Sequence, residues 1–81
     1  DFVVIENGNV TNAIQVVYDF TDLKTKHREV RGLVQSCLKF NLTEGTILTF
    51  DYTEELKQEG VKIHVLPAWK YFYEITSQNN L

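Results

Sequence analysis

The sequence predicts an α/β sandwich: a mixed sheet of about four strands in the order β-β-α-β-β-α, with a right-handed crossover helix. Three observations predict it. Ala13–Phe20, AIQVVYDF, is mostly apolar on both sides of an extended chain near its middle, as expected of a central strand covered on both faces. Apolar residues at helical spacing begin about ten residues further on. A second two-sided apolar run, Thr46–Phe50, follows that helix, and strand, helix, strand is a crossover unit.

Each element has a local reason. Asp1–Glu6 alternates, with Val3 and Ile5 on one side and Phe2 and Val4 on the other. Asn7-Gly8-Asn9 is a turn cluster, because Asn and Gly tolerate positive φ. Val10–Phe20 returns as the partner strand of a hairpin, with Thr11 and Asn12 as weak strand residues that mark a bulge or a slow start. Thr21 and Asp22 offer capping oxygens to a helix running from about Lys24 to Phe40 or Asn41. Its core stripe is Val30, Leu33, Val34, Cys37 and Leu38. Gly32 sits mid-helix, where close packing against the sheet would justify it. Thr46–Phe50 should lie parallel to Ala13–Phe20. Asp51–Gly60 is polar and acidic and reads as an exposed loop. Val61–Leu66 alternates cleanly, with Val61, Ile63 and Val65 on one face, and Pro67 stops it. Ala68–Glu74 reads as a short aromatic helix closing the core through Trp69, Tyr71, Phe72 and Tyr73, and Ser77–Leu81 as a frayed tail.

Composition narrows the class. Eighty-one residues make one domain, and 43% hydrophobic with 23% charged residues is a globular balance. A net charge of −3 gives the whole chain no general attraction for nucleic acid or anionic lipid, although a local basic patch can still act. The single cysteine, Cys37, forms no internal disulfide, fits a reducing compartment, and lies on the core stripe as a packed thiol. No apolar run reaches the ~20 residues needed to span a bilayer, so a cytoplasmic setting without membrane contact is expected. His27 and His64 have no sequence companions, and no metal site is expected. The four glycines are scattered singly and form no phosphate-cradling loop. The chain opens directly into the strand pattern DFVVIE, without leader or initiating methionine, and a piece of a longer protein is expected.

Read in order, the chain resembles a known family. Asp1-Phe2-Val3-Val4, Ile14–Asp19, Thr25 with Arg28-Glu29, Thr46–Asp51 and His64–Lys70 are similar to an uncharacterised C-terminal domain. That domain follows the P-loop module of many prokaryotic AAA-type ATPases. The family looks like a member of the restriction-endonuclease-like, or PD-(D/E)xK, fold. In active relatives an Asp at one strand end shares a site with an E-x-K on the next strand. The carboxylates hold a divalent metal and the Lys helps prime the attacking water. Glu and Lys at i and i+2 share a strand face, which is why that spacing serves.

The resemblance places Asp1 at the Asp position, Gln15 at the Glu position and Val17 at the Lys position. An amide replaces an anionic ligand, and a valine replaces the amine. The implied site is degenerate at two of its three positions. The resemblance therefore implies a non-catalytic accessory domain, with no cofactor of its own. ATP and Mg are expected only in a preceding ATPase module.

Other residues carry competing readings. Gln15 reads as a relic ligand, as a contact to nucleic acid, or as a half-buried amide bonded to a neighbouring strand or helix cap. Lys24, Lys26, His27, Arg28 and Arg31 cluster at the start of the long helix. Cations are unfavourable at that end, so the cluster either meets an anionic partner such as phosphate or is simply solvated, with Asp22 and Glu29 offsetting part of its charge. We take Lys24, Lys26, Arg28 and Arg31 as the candidate contacts for weak nucleic-acid binding. The expected partners are the ATPase module, another protomer, or nucleic acid. One alternative is a rearranged metal-dependent nuclease recruiting Asp19, Asp22 or Glu29, and another is a pure oligomerisation module.

Overall fold

A computed structural model describes residues 2–79. It is an α/β structure with one mixed five-stranded sheet and two helices. The elements are β1 (Phe2–Glu6), β2 (Asn9–Val16), α1 (Leu23–Lys39), β3 (Glu44–Thr49), β4 (Glu54–Gln58), β5 (Val61–Pro67) and α2 (Ala68–Asn79). The sheet order is β1-β2-β3-β5-β4.

β1 and β2 form the expected hairpin, closed by Asn7 and Gly8, both at positive φ. The register jumps between Val4 and Ile5: Val4 pairs with Asn12 and Ile5 with Val10. Thr11 is thus the extra residue of a bulge, and its hydroxyl donates to the Val4 carbonyl. α1 begins where Asp22 accepts from the Thr25 amide at 3.0 Å and from its hydroxyl at 2.8 Å. It links β2 to β3, and these strands pair in parallel as the crossover pattern predicts.

Parity then builds the core. Ala13, Val17, Ile47, Ile63 and Val65 present one sheet face to Val30, Leu33, Val34 and Cys37 of α1, and Phe20 joins the same cluster. Ile47 and Leu48, adjacent in β3, are both buried, as their opposite directions require of a central strand.

Several expectations are corrected. The sheet has five strands, and Asp51–Gly60 is not a loop: it holds β4, paired antiparallel to β5. Glu59 and Gly60 take positive φ and turn the chain tightly into β5, while Leu56 packs against the core from β4. The strand read as Ala13–Phe20 ends at Val16, and the middle of the sheet is β3 rather than β2. Nor is β2 covered on both faces. Ile14 is buried, but Val16 on the same side is 58% exposed and Tyr18 just beyond it 76% exposed, because α1 lies on the opposite face. α2 extends to Asn79, beyond the predicted Glu74 and into the stretch read as a tail. Its aromatics do not close the core: Trp69, Phe72 and Tyr73 are exposed. A helix joined to β5 without a connecting loop cannot fold back far enough to bury them all.

Glycine roles are also exchanged. A Cβ at Gly32 would meet nothing within 4 Å, so close packing does not explain this residue. The close approach occurs at Gly45, where β3 passes under α1.

Candidate functional site

β2 and the residue that follows it place Gln15 and Val17 on the face that meets α1, so the two positions lie under the helix. Val17 belongs to the hydrophobic core, and Gln15 is 9% exposed. The Gln15 Nε2 donates to Glu29 Oε2 of α1 at 2.5 Å. Its buried Oε1 has no hydrogen-bond partner among the described residues. A carboxylate accepts and cannot donate, so the amide must turn its nitrogen toward Glu29 and leave its oxygen without a donor. Of the sequence readings of Gln15, the buried amide is the one observed, with its partner supplied by a helix side chain. Asp1, the third position of the implied triad, lies outside the described residues.

The neighbouring acids are already engaged. Asp19 accepts from the Thr21 amide at 3.0 Å and hydroxyl at 2.6 Å, which holds its carboxyl below the usual carboxylate range. Asp22 is the α1 cap, and the Thr25 hydroxyl and amide lower its pKa in the same way. Among the described residues no three His, Cys, Asp or Glu side chains converge to hold a metal ion.

The basic cluster is divided. Lys24, Arg28 and Arg31 recur at four and three residues, along the exposed side of α1. His27 lies beside them and is also exposed. Lys26 is not part of this surface. Its Nζ reaches Glu54 Oε1 of β4 at 2.7 Å, and it stands 5.6 Å from the centre of the Phe20 ring. The Tyr52 hydroxyl donates to the same Glu54 oxygen at 3.0 Å. The Lys26 pKa is raised first by its bond to Glu54, and that of Glu54 is lowered first by Lys26. Sequence spacing alone groups Lys26 with its helix neighbours, because its acidic partner is 28 residues away.

A cluster that sequence reasoning missed lies on the second face. His64 Nε2 meets Glu44 Oε1 at 2.5 Å and Nδ1 meets Glu55 Oε1 at 2.8 Å. His64 therefore has companions after all. Glu55 is its register partner across the β4–β5 pair, and Glu44 reaches in from the adjacent strand β3. The missing signal was β4 itself: once Asp51–Gly60 is read as a loop, nothing aligns Glu55 with His64. Glu44 and His64 also line a cleft of about 290 Å³ with Thr11, Asn12, Thr43 and Thr46. A second, more apolar cleft of about 340 Å³ lies at the C-terminal ends of β2 and β3, walled by Tyr18, Phe20, Phe50 and Tyr52. There the exposed rings of Tyr18 and Phe50 pack at a centroid distance of 5.3 Å.

In comparison with known proteins, the chain matches no family model, no curated protein and no solved structure. Among the described residues no helix is long and apolar enough to cross a membrane.

Proposed function

We propose that this chain is a non-catalytic interaction domain: a restriction-endonuclease-like fold that has lost its cleavage site and works in the cytoplasm beside a P-loop ATPase module. The observation that carries this reading is the state of Gln15 and Val17. Where the resemblance requires an acid and an amine facing a metal, the chain has a valine in the core and an amide bonded to Glu29 under α1. Neither side chain offers a charge to a hard cation. Asp19 and Asp22 hold their own turns, so recruiting them would cost local structure. The hairpin, crossover helix and parallel third strand support the fold assignment.

The domain then acts by contact. Lys24, Arg28 and Arg31 form a solvated cationic line that suits a weak phosphate contact, while α2 and the Tyr18–Phe50 pair leave aromatic surface for protein. ATP and Mg belong to the ATPase module.

The test is incubation of the purified chain with plasmid and single-stranded DNA in Mg²⁺ or Mn²⁺. The expected result is no cleavage, with at most weak DNA binding that falls steeply with salt as counterions are released. Changing Lys24, Arg28 and Arg31 together to Glu should abolish that binding. Metal-dependent cleavage that co-purifies with the chain and is lost on changing Asp19, Asp22 or Glu29 to Ala would overturn the proposal.

A further inference from the structure

Both ring nitrogens of His64 face a carboxylate oxygen, at 2.5 and 2.8 Å. A neutral imidazole has one N–H and one lone pair, so it can donate to only one of them. With both carboxylates ionised, the two contacts are hydrogen bonds only in the imidazolium form. The arrangement thus has a protonation state written into its geometry. It also spans three strands: Glu44 opens β3, Glu55 lies in β4 and His64 lies in β5.

Among the described residues β4 ends the sheet and pairs only with β5. Its attachment rests on that one ladder, on Leu56 against the core, on Glu54 with Lys26, and on Glu55 with His64. We propose that Glu44, His64 and Glu55 form a proton-operated clamp that holds the edge strand β4 and the start of β3 to β5. Loss of the ring proton turns one carboxylate toward a lone pair and leaves two like charges flanking an uncharged ring. β4 is then loosened, and the hydrogen-bonding edge of β5 becomes open to another strand.

The charges around His64 are mixed: its two carboxylates favour the imidazolium, and the lysines on the same sheet face oppose it. From β5 itself Lys62 stands near Glu44, and from β4 Lys57 is the register partner of Lys62. On α2, which packs against β3 and β5, Lys70 and Glu74 are exposed and enter no ion pair among the described residues. The carboxylates in contact with the ring are Glu44 and Glu55. The bond to Glu44, then that to Glu55, raises the His64 pKa against the opposing effect of its partial burial. Because the folded value lies above the unfolded one, the clamp stabilises fully below the unfolded pKa. Its contribution is lost as pH rises through the folded pKa.

The test is amide hydrogen exchange of Glu54, Leu56 and Gln58, the alternate β4 residues whose N–H groups face β5. It runs between about pH 6 and pH 9, corrected for the intrinsic base-catalysed rate, on the chain and on its His64→Gln and Glu55→Gln variants, bracketing the ordinary histidine pKa. In the unmodified chain protection of β4 should fall, by about tenfold, as pH rises through the His64 titration. His64→Gln should show no such pH dependence, and Glu55→Gln a reduced one. Equal pH dependence in the chain and in His64→Gln would overturn the proposal. An NMR titration of the His64 ring in the unmodified chain decides independently of whether a variant folds. A midpoint at or below the ordinary value of about 6.5 would also end it.

Discussion

A Cβ placed on Gly45 would stand 2.8 Å from the Sγ of Cys37 and 3.1 Å from two atoms of Leu33. All three residues are buried, so β3 and α1 meet here with no room for a methyl group. Gly45→Ala is expected to destabilise the chain by about 1–3 kcal/mol, the usual cost of overpacking a filled core. Adding Cys37→Ala should recover part of that loss by removing the nearest atom. Urea unfolding of the single and double variants measures both, and an unchanged midpoint in Gly45→Ala would show that the helix can lift without cost.

Gly32 should behave in the opposite way. It is helical, and a Cβ there would meet nothing within 4 Å. Gly32→Ala removes the conformational freedom of glycine from the unfolded chain and should stabilise by about 0.5–1 kcal/mol. The same urea titration reads it as a higher midpoint with an unchanged slope.

Placing an acid at position 15 should be costly. Gln15→Glu would bury a carboxylate against Glu29 and exchange a hydrogen bond for like-charge repulsion. The folded pKa of the new acid would be raised, so its penalty should be greatest at neutral pH and shrink as pH falls through that value. We expect a loss of about 2–4 kcal/mol at pH 7 and much less near pH 4, from the cost of an unpaired buried charge. Gln15→Met should be far milder, because it also removes the unbonded Oε1. Thermal melts at the two pH values distinguish these outcomes.

The Lys26–Glu54 pair ties α1 to β4, and its side chains are only about a quarter exposed. A double-mutant cycle with Lys26→Met and Glu54→Gln should give a coupling of about 1 kcal/mol at moderate salt. The Glu54 pKa is lowered, chiefly by Lys26. Its contribution is therefore present above the unfolded carboxylate pKa and lost as pH falls through the folded value. Glu54→Gln should flatten the acid limb of the stability profile.

Two aromatics should separate by burial. Phe20 is 1% exposed and Trp69 is 64% exposed. Phe20→Ala should cost about 3–5 kcal/mol. Trp69→Ala should change stability by no more than about 0.5 kcal/mol. A large loss at Trp69 would mean that α2 is integral to the core.

Local pattern made much of this architecture legible. The hairpin at Asn7-Gly8, the bulge at Thr11, the Asp22 cap, the α1 stripe of Val30, Leu33, Val34 and Cys37, and the parallel pairing of β2 with β3 all depend on residues close in sequence or on period alone. Leu38, read into the same stripe, is instead 47% exposed. β4 was hidden because EELKQ has one apolar residue on an otherwise polar edge, and only its pairing with β5 makes it a strand. Its loss from the reading concealed Glu55 beside His64 and Glu54 beside Lys26. Trp69, Phe72 and Tyr73 were misplaced for a related reason: aromatic content signals burial on average, but the direct join of β5 to α2 sets where those rings can go.

What the sequence determined by itself was periodicity: the alternation that makes strands, the three-and-four spacing that makes α1, and the amide and valine at positions 15 and 17. What only the tertiary structure decided was partnership: which carboxylate meets Gln15, Lys26 and His64, and which glycine touches the helix. Periodicity is a property of neighbours along the chain, whereas a charge or a methyl group finds its partner across strands distant in sequence, at distances set by the sheet order.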